Sequence, residues 1–226
     1  MSVSWSGELE AHLAVPIGLV PSWCYALRSA GIEGIAEITP GSQTLQIRLS
    51  DNADIPAVLA RACAFLSDVA EPHDAGTPRV VEIPICYDSE LAPDLSDIAG
   101  SAGCSPSDAA DLHAEGAYTV RLLGFSPGFP YIDGLPKSLH TPRHDTPRAR
   151  VRPGSVGIAG TMTGIYPQAT PGGWRVIGAT PLRLFAPHRD PPALLAPGNR
   201  IRFRRIDRRT FDAMESIDTH DPGYAP

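Results

Sequence analysis

Between Leu123 and Trp174 the chain reads LGFSPGFPYIDGLPKSLHTPRHDTPRARVRPGSVGIAGTMTGIYPQATPGGW, which holds eight of its 24 prolines and nine of its 21 glycines. Proline fixes φ near −65° and removes a backbone donor, while glycine opens φ > 0. No long helix or central strand tolerates that mixture. The segment reads as shaped turns between short strands, and such loops are where backbone and side-chain groups converge on ligands. A loop-built site on a β scaffold is therefore expected.

The chain has 226 residues, enough for one large or two modest domains with a real core. A net charge of −6 argues against nucleic acid as the main partner. No run of 18 apolar residues is present, so no membrane span is expected, and MSVSWSGELEAH lacks the features of a secretion signal. The expected location is the cytoplasm. Cys24, Cys63, Cys86 and Cys104 are widely spaced, with no C-x-x-C, and read as reduced core residues with no zinc site. Lys137 is the sole lysine among 19 basic residues, so almost every cation is a planar, multi-pronged Arg.

Residues 1–76 read as a small N-terminal α+β domain of order β-α-β-β-α, and residues 77–226 as a β-barrel domain. A strand is predicted over Leu9–Val15 and a helix over Pro21–Ala30, stopped by Gly31. Strands at Ile32–Ile38 and Thr44–Leu49 flank a Pro40-Gly41-Ser42 hairpin signal, and Ile55, Val58, Leu59, Ala62, Phe65 and Leu66 mark a helix over Asp54–Leu66. Glu71–Pro78 reads as a linker. A strand over Val80–Tyr87 and two short helices follow, Asp94–Ala99 and one from Ser105 to about Ala114, where Ser-Pro supplies an N-cap and a first-turn proline. From Tyr118 onward only strand-like pieces are read: YTVRLLG, SVGIAG, GWRVIG, LRLF and RIRFRRI. Short strands between Pro/Gly turns suggest an antiparallel barrel, closed or nearly so.

Several motifs carry chemistry. Gly124-Phe125-Ser126-Pro127-Gly128 fits a G-x-S-x-G nucleophile elbow, but Pro127 lacks the N–H that an oxyanion hole needs, and the following helix is blocked. A Walker loop is excluded because Pro136 precedes the only lysine. His140 and His144 stand four apart, but Pro142 between them opposes the helix that would make them metal ligands. Arg143, Arg148, Arg150 and Arg152 form a basic run, either a solvated edge strand or an anion site whose Arg forks grip carboxylate or phosphate. Gly172-Gly173 is a tight turn or a nest of backbone donors. Tyr131, Tyr166 and Trp174 either fill the barrel or wall a pocket. His113, at the end of the second short helix, is a helix C-terminal partner or the chain's best acid/base candidate.

As an ordered set these pieces resemble the KipI/PxpB family, also called allophanate hydrolase subunit 1 or carboxyltransferase subdomain C/D. The series runs VEIPICY, Pro93-Asp94-Leu95, His113 with YTV, GFSPGFPY, TPR at Thr141–Arg143, TPRARV, GSVGIAG, TGIYP, PGGW, IGATPLRLF and a final Pro-Gly at Pro197. The first strand departs from the family's usual Gly-Asp opening, since Glu8 follows Gly7. The resemblance implies an α+β fold: a small α/β sandwich-like N-terminal domain followed by a cyclophilin-like antiparallel β-barrel. It also implies a homologous PxpC- or KipA-type partner, a PxpA-type partner, and ATP-dependent opening of 5-oxo-L-proline to L-glutamate by the complex, with the isolated chain inactive. Under that implication Arg143 and Arg148 hold the substrate's carboxylate or phosphate with backbone donors from Gly172 and Gly173. His113 manages a proton, Tyr131, Tyr166 and Trp174 shape the pocket, and Mg2+ arrives with ATP without a dedicated metal site. A biotin-linked carboxyltransferase component and a KipI-type inhibitor of a sensor histidine kinase are the alternatives.

Overall fold

The structure, a computed structural model, describes residues 2–16, 19–41, 43–68 and 79–218. The expected linker at Glu71–Pro78 and Ser42 of the hairpin signal lie outside the described residues. The chain divides into two compact units, Met1–Pro78 and Arg79–Pro226.

In the first unit the elements are β1 (Val3–Trp5), β2 (Glu10–Ala14), α1 (Val20–Ala30), β3 (Ile35–Pro40), β4 (Thr44–Leu49) and α2 (Ile55–Asp68). The strands form one antiparallel sheet of order β1-β2-β4-β3. Alternation in β4 buries Leu45, Ile47 and Leu49 and turns Gln46 and Arg48 away from that core. Val58, Ala62 and Leu66 repeat every four residues along α2 and join them in one apolar cluster with Leu13 and Leu27. Gly31 takes φ 57° and caps α1, its N–H donating to the Arg28 carbonyl. The predicted order lacks one strand. Val3–Trp5 adds an edge strand to β2, and its short length leaves little alternation to read.

The second unit contains β5 (Val80–Cys86), α3 (Leu95–Ala102), α4 (Pro106–Ala114), β6 (Tyr118–Leu123), β7 (Pro130–Asp133), β8 (Arg148–Val151), β9 (Ser155–Ala159), β10 (Met162–Ile165), β11 (Thr170–Gly172), β12 (Arg175–Ala179), β13 (Arg200–Ile206) and α5 (Arg208–Asp218). Seven strands close a barrel in the order β10-β7-β6-β13-β5-β12-β9. Ile83, Ile85, Val120, Ile132, Val156, Ile158 and Ile165 are fully buried and belong to its main core. The barrel is not wholly antiparallel. β13 runs parallel to β5, from Arg200 opposite Val80 to Ile206 opposite Cys86, because the helices α3 and α4 and the later strands intervene between them. The β8 and β11 strands pair only with each other, as a two-stranded ribbon separate from the barrel sheet.

Two expectations from the sequence are corrected. LRLF at Leu182–Phe185 is no strand; a single bridge joins Phe185 to Ala193. The chain after Tyr118 is not all strand, since α5 follows β13. Asp207 starts that helix by accepting the Thr210 N–H. Phe211 supplies its one fully buried side chain among the described residues, with Met214 packed beside it, so its apolar stripe is short amid charged residues. The cap of α4 is as read: Ser105 Oγ accepts the Asp108 N–H and Asp108 accepts from the Ser105 N–H. Among the described residues no helix is long and apolar enough to cross a membrane.

Candidate functional site

Asp94, immediately before α3, ties four pieces of the second unit together. Its N–H donates to the Val176 carbonyl (3.0 Å), and its Oδ2 accepts the Val176 N–H (2.6 Å), which fastens the start of α3 to β12. Oδ1 accepts from Arg148 Nη2 on β8 (2.7 Å) and from His144 Nε2 in the preceding loop (3.1 Å). The carboxylate is almost fully buried. Burial alone would raise its pKa, but the hydrogen bonds from Arg148, the Val176 N–H and His144 outweigh it and hold Asp94 below the usual carboxylate range.

Arg148 spends only one prong of its fork on Asp94. Its Nη1 is buried and has no hydrogen-bond partner among the described residues. Arg143 lies with Cζ 5.9 Å from the centroid of the Trp174 ring, a cation–π distance. Both guanidinium charges act on the Tyr166 hydroxyl. Burial raises that phenol's pKa, while a hydrogen bond from the Trp174 backbone and the charges of Arg143 and Arg148 pull the other way. The other two members of the basic run go elsewhere. Arg150 is exposed, and Arg152 pairs with Glu215 and covers the Phe211 ring on α5.

The aromatic residues assemble around Phe129, whose ring centroid lies 5.1 Å from Tyr131, 5.2 Å from Tyr166 and 5.5 Å from Trp174. Tyr166 and Trp174 are buried and form a floor, while Tyr131 is half-buried. Phe125 stands against this floor, 62% exposed, its ring T-shaped to those of Phe129 and Tyr166. Its φ of 66° is uncommon for a bulky residue and marks a loop shaped by its surroundings. No helix follows Ser126; the chain turns at Gly128 and enters β7, so the nucleophile-elbow geometry is absent.

His113 is not at this site. It is fully buried among Tyr87, Tyr118 and Phe203. Its Nδ1 is 2.7 Å from the Tyr87 hydroxyl and its Nε2 3.1 Å from Thr163 Oγ1. Since Thr163 donates to the Gly157 carbonyl, it accepts from Nε2, and Tyr87 donates to Nδ1. Burial lowers the imidazole pKa to about 3. The expectation of an acid/base role for His113 is corrected: a neutral ring with both nitrogens engaged holds the barrel core together.

The glycine pair is also reassigned. Neither Gly172 nor Gly173 has positive φ, which a nest of converging donors requires. Gly172 instead makes room for Tyr166, since a Cβ there would collide with the phenol hydroxyl, and the Gly173 carbonyl accepts the His144 N–H at 2.8 Å. His140 Nε2 donates to the Leu135 carbonyl (3.0 Å), whereas His144 turns to Asp94, so the two histidines share no partner. Among the described residues no three His, Cys, Asp or Glu side chains gather as a metal site. Of the residues singled out in the sequence, Tyr131, Tyr166 and Trp174 gather around Phe129 with Arg143 over Trp174, and Arg148 binds Asp94. Sequence reading does not single out Asp94 as the hub or His144 as its partner. The only signal for Asp94 was its place in Pro93-Asp94-Leu95.

Two grooves occur elsewhere. One of about 450 Å³ lies beside α1 and β3, and another of about 730 Å³ runs along β13 from Val80 to Thr119. Neither touches Asp94, Arg143 or Arg148, so the side-chain cluster and not the groove volume locates the site.

Comparison with known proteins settles the family. The carboxyltransferase domain, subdomain C and D family matches residues 4–195. The chain belongs to that family. The KipI/PxpB resemblance carried by the ordered motifs is borne out. Among relatives of this carboxyltransferase-type chain, the B subunit of 5-oxoprolinase from Bacillus subtilis is 46% identical over 150 residues, 66% of this chain and 62% of that protein. Its counterpart of the same name from Escherichia coli O157:H7 is 44% identical over 80% of this chain and 83% of its own length. The crystal structure of TTHA0988 superposes with a TM-score of 0.74 at 32% identity, over 87% of this chain but only 40% of that one. The chain therefore spans less than two thirds of the Bacillus relative and of TTHA0988.

Proposed function

We propose that the protein is the PxpB-type component of an ATP-dependent 5-oxoprolinase, cytoplasmic and active only with PxpC- and PxpA-type partners, and that the Arg143–Arg148 cluster holds the small anionic substrate. The observation that carries this reading is the Arg148 fork, one prong anchored on the buried Asp94 carboxylate and the other without a partner among the described residues, with Arg143 held over Trp174 nearby in the chain. An Arg fork held on one side by a buried carboxylate is preorganised to meet a carboxylate or phosphate on the other. The names of the B. subtilis and E. coli relatives supply the substrate class, a cyclic amide acid.

A lactam carbonyl is a poor electrophile, so its opening calls for positioning and charge neutralisation. The donor set here is cationic and aromatic, which suits an anion and not a bare metal ion. ATP with Mg2+, when bound, supplies the phosphoryl group that activates the amide oxygen. This chain's own residues bind and orient the acid: Arg143 and Arg148 as charge, Phe125, Tyr131 and Trp174 as walls that limit water. The partner protein closes the open side.

The test is Arg143→Ala with Arg148→Ala in the reconstituted complex. KM for 5-oxoproline is expected to rise at least about tenfold, the scale of a lost charge-assisted hydrogen bond. Unchanged turnover and KM defeat the assignment. The family's carboxyltransferase description favours one other reading, a biotin-linked carboxyltransferase component. Carboxyl transfer from carboxybiotin to an acceptor, without any 5-oxoproline-dependent ADP release, would establish it instead.

A further inference from the structure

We propose that His144 is the proton-transferring residue of this site and that Asp94 is the positioning residue that sets its tautomer. This rests on the reading above, that the site opens a cyclic amide, and names the group that moves the proton.

The other titratable groups are unsuited. His113 is sealed in the barrel core with both nitrogens engaged. Asp94 accepts three hydrogen bonds as a carboxylate and has no proton to give. Tyr166 is buried beneath Phe125, and the guanidinium groups of Arg143 and Arg148 are donors with no lone pair to accept a proton. His144 differs from all of these. Its side chain is 24% exposed and is anchored at one ring nitrogen, with Nε2 3.1 Å from Asp94 Oδ1. Its main-chain N–H donates to the Gly173 carbonyl, which holds the loop against the end of β11.

The tautomer follows from elementary bonding. An ionised carboxylate only accepts, so the hydrogen sits on Nε2. A neutral imidazole has one N–H, so Nδ1 carries the lone pair, and no partner for it occurs among the described residues. Arg148 shares the same Oδ1, so Asp94 is satisfied without an imidazolium. If the ring gains a proton, Asp94 is already in place to stabilise it, the logic of a carboxylate-oriented histidine. In the amide-opening step the oxygen of one water bonds to the amide carbon, whose oxygen carries the phosphoryl group from ATP, and one water proton passes to Nδ1. As the C–N bond breaks, that proton passes from Nδ1 to the departing ring nitrogen and an acyl phosphate remains, which a second water cleaves to the carboxylate and inorganic phosphate. Two waters are consumed per ring opened, and His144 ends as it began.

The experiment has two arms. In the reconstituted complex, His144→Gln keeps a donor for Asp94 but has no base; kcat is expected to fall about 100-fold or more with KM within about threefold. His144→Gly should be equally slow and regain at least about tenfold in kcat with added imidazole. A kcat for His144→Gln within about threefold of wild type overturns the proposal, as does a Gly variant that imidazole fails to rescue. In the second arm, 15N NMR of the unsubstituted isolated chain reads the ring directly. An Nε2–H tautomer that is lost or mixed in Asp94→Asn is expected, whereas an Nδ1–H tautomer in the wild type overturns the arrangement on which the proposal stands. A wild-type complex that shows no 5-oxoproline-dependent turnover overturns the functional reading alone, and the tautomer then still decides the Asp94–His144 geometry.

Discussion

His113 and Asp94 are both buried titratable groups, yet they load the pH dependence of stability in different windows. The folded pKa of His113 lies near 3, below the unfolded value near 6.5, because the charged ring finds no solvation in the core. Between those values the unfolded chain binds the proton and the folded chain does not, so stability is full above about pH 6.5 and falls as pH drops toward 3. The loss is on the order of 5 kcal/mol if the whole shift is expressed. Asp94 has a lowered folded pKa, so its contribution is present above the unfolded carboxylate value near 3.9 and is lost only as pH falls through the lower folded one. Urea melts at pH 7, 6, 5 and 4.5 should therefore show a decline that belongs to the histidine. In His113→Gln, whose amide can still donate and accept, that decline should flatten; an equally steep profile in the variant would refute the assignment.

The ribbon of β8 and β11 shows how a weak element is held in place. Its strands are short and pair only with each other, so their geometry depends on anchors at the ends. Arg148 ties β8 to Asp94, and Gly172 on β11 sits directly over Tyr166. Two neighbouring glycines make opposite predictions. Gly172→Ala drives a methyl into the Tyr166 hydroxyl, beside the aromatic floor, and should cost about 1–3 kcal/mol, read as a lower Tm with altered near-UV circular dichroism. Gly173→Ala places its methyl 3.6 Å from the His144 carbonyl, ordinary contact, and should change stability by no more than about 0.5 kcal/mol. Equal effects at the two positions would remove Tyr166 as the reason for the glycine.

Each of the two units owns its hydrophobic core. Leu13, Leu27, Ile47 and Leu66 cluster within the first; Ile83, Val120, Val156 and Phe203 cluster within the second, where the parallel β5–β13 pairing joins the beginning and end of the barrel. A barrel closed by its own first and last strands leaves no sheet edge open. A fragment of residues 79–226 is therefore expected to fold alone, with a cooperative thermal transition and the wild-type tautomer at His144. A fragment that stays unfolded in dilute buffer would show that the barrel core is insufficient. Arg148, His144 and Val176, the partners of Asp94, all belong to this unit, so the fragment carries the whole cluster.

Local chemistry made much of this protein readable. A glycine that only an αL cap needs ends α1, a Ser-Pro cap opens α4, and period-two alternation reveals β4, because those signals are written in adjacent residues. The dense Pro/Gly segment reads as shaped loops, and in the fold its Arg143 lies over Trp174, which shares the Phe129 aromatic cluster with Tyr166. What adjacency cannot encode is which distant groups share a face. Asp94 meets Arg148 across 54 positions and Val176 across 82. The same barrel closure drew His113 into the core and left His144, four residues from a histidine of no shared role, beside a buried carboxylate. Residue type limits what a side chain can do chemically; burial and partners, set by strands far apart in the chain, choose which histidine is free to do it.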